Sequence, residues 1–81
     1  MRNMLVEKAY VLINCELGAE GQISEEVKTM DYVKEISGVF GNYDLIVKLE
    51  CKNVDGISET IAKKIRKIGK VNCTTTLMCA N

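Results

Sequence analysis

The sequence predicts an α+β domain of the ferredoxin-like class, in which the elements follow the order β-α-β-β-α-β. Four segments are rich in strand-forming residues, and two others repeat apolar residues at helical spacings of three and four. Glycines mark several of the boundaries between these segments. In this class a four-stranded antiparallel sheet, here expected in the strand order 4-1-3-2, carries both helices on one face. We expect residues 1–81 to form one domain.

The first half of the chain predicts a strand followed by a short helix. Residues 8–16 are strand-forming, and glycines at positions 18 and 21 end the segment. Residues 22–31 then place Ile23, Val27 and Met30 on one helical stripe. The strand is apolar on both faces, because alternate positions give two sets: Ala9, Val11, Ile13 and Cys15 on one side, and Tyr10, Leu12 and Asn14 on the other.

The centre of the chain predicts a tight β-hairpin. Residues 33–40 and 43–51 are strand-forming, and only Gly41 and Asn42 separate them. Gly-Asn is a favoured two-residue loop, because glycine accepts the positive φ that a type II′ turn needs at its first central position. The turn therefore places Tyr43 and Asp44 at the tip of the sheet.

The last third of the chain predicts a helix and a final strand. Asn53 is a suitable N-cap, and Asp55 in the first turn favours the positive end of the helix dipole. The helix is expected to run to about residue 68, where Gly69 ends it, and residues 71–79 are rich in β-branched side chains. Its buried stripe is predicted from four isoleucines, namely Ile57, Ile61, Ile65 and Ile68.

Composition limits the partners that this chain is expected to have. Its 11 basic and 11 acidic residues cancel, which argues against direct binding to nucleic acid. The basic residues of the second helix are interpreted as a solvated face. No signal peptide is visible and no stretch reaches the roughly 18 apolar residues of a membrane span, so we expect a cytoplasmic protein that does not contact a membrane.

Apolar residues on both faces of the predicted sheet indicate a homo-oligomer. Two helices cover only one face, and the apolar groups on both faces include Tyr10, Leu12, Ile46 and Met78. An uncovered apolar face is a liability in a monomer. Packing of this face against a second copy is therefore expected to form a dimer.

Two stretches give the chain its resemblance to a known family. VFGNYDLIVKL at residues 39–49 and KIRKIGKVNCTTTL at residues 64–77 resemble the ligand-binding domain of the Lrp/AsnC transcriptional regulators. The resemblance implies a dimeric α/β barrel that associates further into tetramers or octamers. It also implies a small amino acid as ligand, bound between dimers. Full-length members carry an N-terminal helix-turn-helix domain that these 81 residues lack, so a stand-alone module that partners full-length regulators is expected.

The resemblance also implies the residues of the ligand site. The hairpin contributes one wall, for which the matching residues are Gly41, Asn42, Tyr43 and Asp44, and the last strand contributes Thr74 and Thr76. Backbone N–H groups at 41–43 would hold the carboxylate of the ligand and Asp44 its ammonium. Two simpler interpretations stay open, in which the carboxylate of Asp44 bonds nearby backbone and the threonines serve only strand formation.

The four cysteines support an alternative function, that of a metal- or thiol-responsive binding protein on the same scaffold. With no signal peptide visible, we expect them as reduced thiols. The strand order brings Cys15 and Cys73 to one end of the sheet and Cys51 and Cys79 to the other, which is a ligand set for copper or zinc. Burial in the core is the simpler interpretation, because the spacing matches no close metal motif. The chain has no histidine and no activated nucleophile, so we do not expect an enzyme.

Overall fold

A computed structural model describes residues 6–80 and confirms the predicted ferredoxin-like architecture. The sheet is antiparallel, in the order β2-β3-β1-β4. Its strands are β1 (Glu7–Cys15), β2 (Val33–Gly38), β3 (Leu45–Cys51) and β4 (Val71–Met78). The helices are α1 (Glu20–Val27) and α2 (Val54–Glu59), and α2 continues as a π-helical segment (Thr60–Ile65).

Strand β1 forms the centre of the sheet and of the core. It pairs with β3 from Glu7↔Cys51 to Ile13↔Leu45, and with β4 on its other side. The predicted alternation is confirmed, because one face of β1 is buried beneath the helices. The fully buried strand residues are Ala9, Val11, Ile13, Val47 and Leu49.

Helix α1 is shorter than the predicted segment 22–31. Ile23 and Val27 are fully buried as predicted, but Met30 packs against the core from a turn beyond the helix. At the end of the helix, the Glu26 carbonyl accepts two hydrogen bonds from Thr29. The Thr29 N–H donates at 3.4 Å and the Thr29 hydroxyl at 2.9 Å. Tyr32 then adopts a left-handed φ of 75°, which leads the chain into β2.

The second helix has the predicted cap and core stripe but not the predicted form. The Asn53 side chain accepts a hydrogen bond from the Gly56 N–H at 2.9 Å, and all four predicted isoleucines are buried. The chain is π-helical from Thr60, whose buried hydroxyl donates to the Gly56 carbonyl at 2.9 Å. The Arg66 N–H correspondingly donates five residues back, to Ile61. None of the helices within residues 6–80 is long and apolar enough to cross a membrane.

The predicted two-residue hairpin turn is wrong. Strand β2 ends at Gly38 and β3 begins at Leu45, so residues 39–44 form a longer loop. Gly41 does have the positive φ, 111°. Asp44 is held on both sides, because its N–H donates to the Ile13 carbonyl at 2.9 Å and its carbonyl accepts from the Val39 N–H at 3.0 Å. The chain therefore reverses over residues 40–43 and not over two residues.

The face of the sheet that the helices leave uncovered, called here the open face, carries an apolar patch beside the Lys48–Glu50 ion pair. Because paired residues share a face, Tyr10, Leu12, Ile46 and Leu77 lie there, whereas Met78 pairs with Ala9 on the helix side. The two edges of the sheet differ. Edge strand β2 carries Lys34, Glu35 and a bulge, whereas edge strand β4 has no charged residue. An uncharged edge is typical of a strand that pairs with another chain.

We predict that Gly56→Ala destabilises the domain by about 1–3 kcal/mol. A Cβ at this position would overlap the buried Cys51 Sγ and lie 3.4 Å from the Tyr32 ring. Gly21→Ala in α1 is the matched control, because its Cβ would meet no atom within 4 Å and alanine favours a helix. Urea unfolding midpoints measure both effects. Equal midpoints for Gly56→Ala and the parent would contradict the packing described.

Candidate functional site

Asp44 connects the loop 39–44 to the central strand of the sheet. One oxygen of its carboxylate, Oδ2, accepts a hydrogen bond from the Cys15 N–H at 2.9 Å, where β1 ends. The contact is partly buried, and it lies next to the bulge between Asn14 and Cys15. The side chain therefore bonds nearby backbone, as the simpler interpretation held.

The loop presents backbone donors beside this carboxylate. The Val39 N–H donates to the Asp44 carbonyl, and the Asp44 N–H donates to the Ile13 carbonyl. Across residues 6–80, no backbone or side-chain hydrogen bond uses the N–H groups of Gly41, Asn42 or Tyr43. The loop thus carries two kinds of group: N–H donors, which can bind an anion, and a carboxylate, which can bind a cation.

Tyr43 reaches across the sheet to β4. Its hydroxyl lies 3.2 Å from the Thr75 Oγ1, and Thr75 pairs with Leu12 on the open face. On the same face the Asn14 amide donates to the Cys73 Sγ at 3.5 Å. Sequence reasoning missed Thr75 as a neighbour of the loop, because only the strand register places its side chain on the open face.

The structure places Thr74 and Thr76 away from the loop. They pair with Ile13 and Val11, so their side chains lie on the helix side of the sheet, opposite Thr75. The Thr74 hydroxyl accepts a hydrogen bond from the Arg66 Nε at 3.0 Å. Within one chain, the loop and these two threonines are therefore not brought together.

The four cysteines are separated in pairs by the two faces of the sheet. Cys15 and Cys51 are buried on the helix side, whereas Cys73 and Cys79 pair with Asn14 and Lys8 on the open face. Each predicted pair thus shares an end of the sheet but not a face. Within residues 6–80, three or more potential metal-ligating side chains never come together. Burial, and next the charge of Asp44, raise the pKa of the Cys15 thiol, which favours its protonated form.

Together, these features define a ferredoxin-like domain with free N–H groups and a carboxylate at one end of its sheet. The sequence profile of the Lrp/AsnC ligand binding domain matches residues 8–81. The chain therefore belongs to the Lrp/AsnC ligand binding domain family, as its two sequence stretches indicated. No curated protein matches the chain.

Solved structures agree with this membership. FFRP-DM1 is 34% identical, with a TM-score of 0.87 over 91% of this chain and 99% of its own. Hypothetical protein PHS023 from Pyrococcus horikoshii is 33% identical, with a TM-score of 0.86 over 93% of this chain and 90% of its own. The transcriptional regulator NMB0573 from Neisseria meningitidis, solved with L-Met, shares the fold at 10% identity and a TM-score of 0.83, over 93% of this chain and 50% of its own.

We predict that Asp44→Ala lowers the free energy of unfolding by about 1–3 kcal/mol, because it leaves the Cys15 N–H without its acceptor. Asp44→Asn is the control, since an amide oxygen still accepts this hydrogen bond. Urea unfolding of the two variants measures the difference. Equal loss in both would show that the charge of Asp44, and not this bond, stabilises the loop.

Proposed function

We propose that this domain senses a small amino acid and couples its binding to oligomerisation, in the service of transcriptional regulation. The observation that carries the proposal is the conjunction of Asp44 with the free N–H groups of Gly41, Asn42 and Tyr43. Membership of the Lrp/AsnC family supports the regulatory context. The complex of the Neisseria regulator with L-Met, which shares this fold, supports an amino acid as ligand.

The chemistry of the proposed site follows from what the fold leaves free. Asp44 Oδ1 would accept from the ligand ammonium while Oδ2 keeps its bond to Cys15. The free N–H groups of the loop would donate to the ligand carboxylate. The neighbouring Phe40 side chain is fully exposed, and on a loop tip it offers apolar surface to a second chain. The loop is thus one wall of a site that another subunit completes.

We propose that the open face packs against a second copy as a dimeric α/β barrel. Its apolar patch and the uncharged edge of β4 support this arrangement. A ligand that bridges subunits then shifts the oligomer equilibrium by its differential affinity for the assembled state. We propose that Thr74 and Thr76 of a neighbouring copy also contribute to this site.

Full-length Lrp/AsnC regulators are the proposed heterologous partners, through the same open face. The cytoplasm is the proposed compartment, consistent with four cysteines that are all free thiols. Co-purification with a regulator tests the first point.

We predict saturable binding of at least one of the twenty standard amino acids by isothermal titration calorimetry at millimolar concentration. Asp44→Asn should weaken it about tenfold or more, because the amide retains the Cys15 bond but not the charge that faces the ammonium. Asp31→Asn, an exposed carboxylate in a turn far along the chain, is the control and should change little. Unchanged affinity in Asp44→Asn would remove Asp44 from the site, and no binding by any amino acid would refute the proposed function.

We also predict that alkylation of Cys73 slows as protein concentration rises. Its thiol is exposed on the open face of one chain, so a second copy packed there would shield it. Iodoacetamide labelling followed by peptide mass spectrometry gives the rate. Leu12→Glu puts a charge in the centre of the open face. In this variant the alkylation of Cys73 should stay fast at every protein concentration. A rate independent of concentration in both proteins would argue against packing through this face.

A further inference from the structure

We propose that a cavity at the end of the sheet opposite the loop 39–44 is a second binding site, whose ligand is a small phosphate monoester with an apolar body. The cavity has a volume of about 400 Å³, within the roughly 300–1,000 Å³ that small-molecule sites occupy. It lies where β1 and β2 begin and β3 ends. We call it the basic cavity, and its lining includes Val6, Tyr32, Lys34, Glu50, Cys51 and Lys52.

Tyr32 forms one wall of the basic cavity through an unusual backbone conformation. Its φ of 75° is rare for a residue with a bulky side chain, and such a conformation persists only where the surroundings hold it. Here the Tyr32 carbonyl accepts a hydrogen bond from the Glu50 N–H at 2.9 Å. The Tyr32 ring and the Cys51 Sγ both lie against Gly56, which has no Cβ to displace them. Tyr32 is nevertheless 44% exposed, which leaves surface for a ligand to cover.

Two lysines give the cavity its positive charge. Lys34 is the extra residue of the bulge in β2, a feature that often redirects a side chain, and Lys52 directly follows β3. Both lysines are exposed, and none of the ion pairs among residues 6–80 includes either of them. Each ammonium group carries three N–H donors that a bound anion can accept.

The carboxylate of Glu50 does not cancel this charge. Its Oε2 lies 3.6 Å from the Nζ of Lys48, and Glu50 also pairs across the sheet with Lys8. Neither of these two lysines lines the cavity. The positive charges of Lys34 and Lys52 therefore remain for a ligand.

The lining selects the class of ligand. Two ammonium groups match a dianion, and lysine binds phosphate as a point charge. A phosphate monoester is mainly a dianion at neutral pH, because its second proton leaves at about pH 6. Val6 and Tyr32 add partly exposed apolar surface beside the charge, so the ester should carry an apolar ring or chain.

The basic cavity is distinct from the amino-acid site proposed at the loop. Strand β3 separates them, because the loop precedes its first residue and the cavity adjoins its last. An amino acid bound by its carboxylate would also bring its ammonium towards two lysines, which repel it. A phosphate monoester without an amino group avoids this repulsion.

Calorimetry with four probes tests the proposal on the full chain, at about 0.1 M salt to screen distant exposed charges. Phenyl phosphate carries a dianion and a ring, benzenesulfonate carries a single charge and the ring, inorganic phosphate lacks the ring, and benzyl alcohol lacks the charge. We expect saturable binding of phenyl phosphate, and affinity at least about fivefold lower for each of the other three. The backbone amide signals of Tyr32 and Cys51 in NMR spectra should shift with phenyl phosphate, because both residues line the cavity.

Lys34→Gln and Lys52→Gln should each weaken phenyl phosphate binding about fivefold or more, because each removes one of the two charges. Lys67→Gln is the control, since it removes the same charge from an exposed position outside the cavity and should leave the affinity unchanged. Circular dichroism confirms that all three variants are folded.

No saturation by phenyl phosphate, or equal affinity for phenyl phosphate and any of the other three probes, would overturn the proposal. Equal weakening in all three lysine variants would also overturn it, because only the net charge would then matter. Unchanged affinity in Lys34→Gln and Lys52→Gln, with amide shifts at residues 41–43 in place of 32 and 51, would assign the anion to the loop.

Discussion

The pairing of β1 with strands on both sides is the constraint on which the rest of this structure depends. Ala9, Val11 and Ile13 are completely buried, so the register of β1 is fixed by its core face. Its ladder with β4 then assigns every side chain of that strand to one face or the other. A shift by a single residue would move Thr75 to the helix side of the sheet and Thr74 to the open face.

Strand β1 also holds Asp44 in place. The bond of its carboxylate to the Cys15 N–H, where β1 ends, fixes the loop, and we propose that the same carboxylate binds a ligand. A carboxylate that is held by the fold needs little ordering when a ligand arrives, which favours affinity. Loss of ligand binding in Asp44→Ala therefore has two possible physical causes, the lost hydrogen bond to Cys15 and the lost charge. Asp44→Asn separates them, because an amide keeps the hydrogen bond but not the charge.

The sequence was sufficient to predict the element order, the strand order and the core stripes, because each follows from local periodicity or from a common topology. It could not predict the length of the loop 39–44, since Gly41 and Asn42 fit a tight turn, whereas the bond between Val39 and Asp44 closes a wider one. The π-helical segment Thr60–Ile65 was likewise not visible in the spacing of the isoleucines, all four of which are buried as predicted.

For the candidate site, the sequence predicted positions along the strands better than it predicted faces. The cysteine pairs do share the ends of the sheet, but alternation and the bulge near Cys15 put their members on opposite faces. Arg66 was interpreted as part of a solvated helix face, and only its contact with Thr74 distinguishes it from the neighbouring lysines.

The central claim is that amino-acid binding and assembly of the domain into oligomers are one linked equilibrium. Sedimentation velocity over a range of protein concentrations, with and without a saturating amino acid, tests it most directly. The account predicts oligomers of at least two chains, and a distribution that the amino acid shifts at fixed protein concentration. A monomer at all concentrations, or an oligomer distribution that a bound amino acid leaves unchanged, would contradict it.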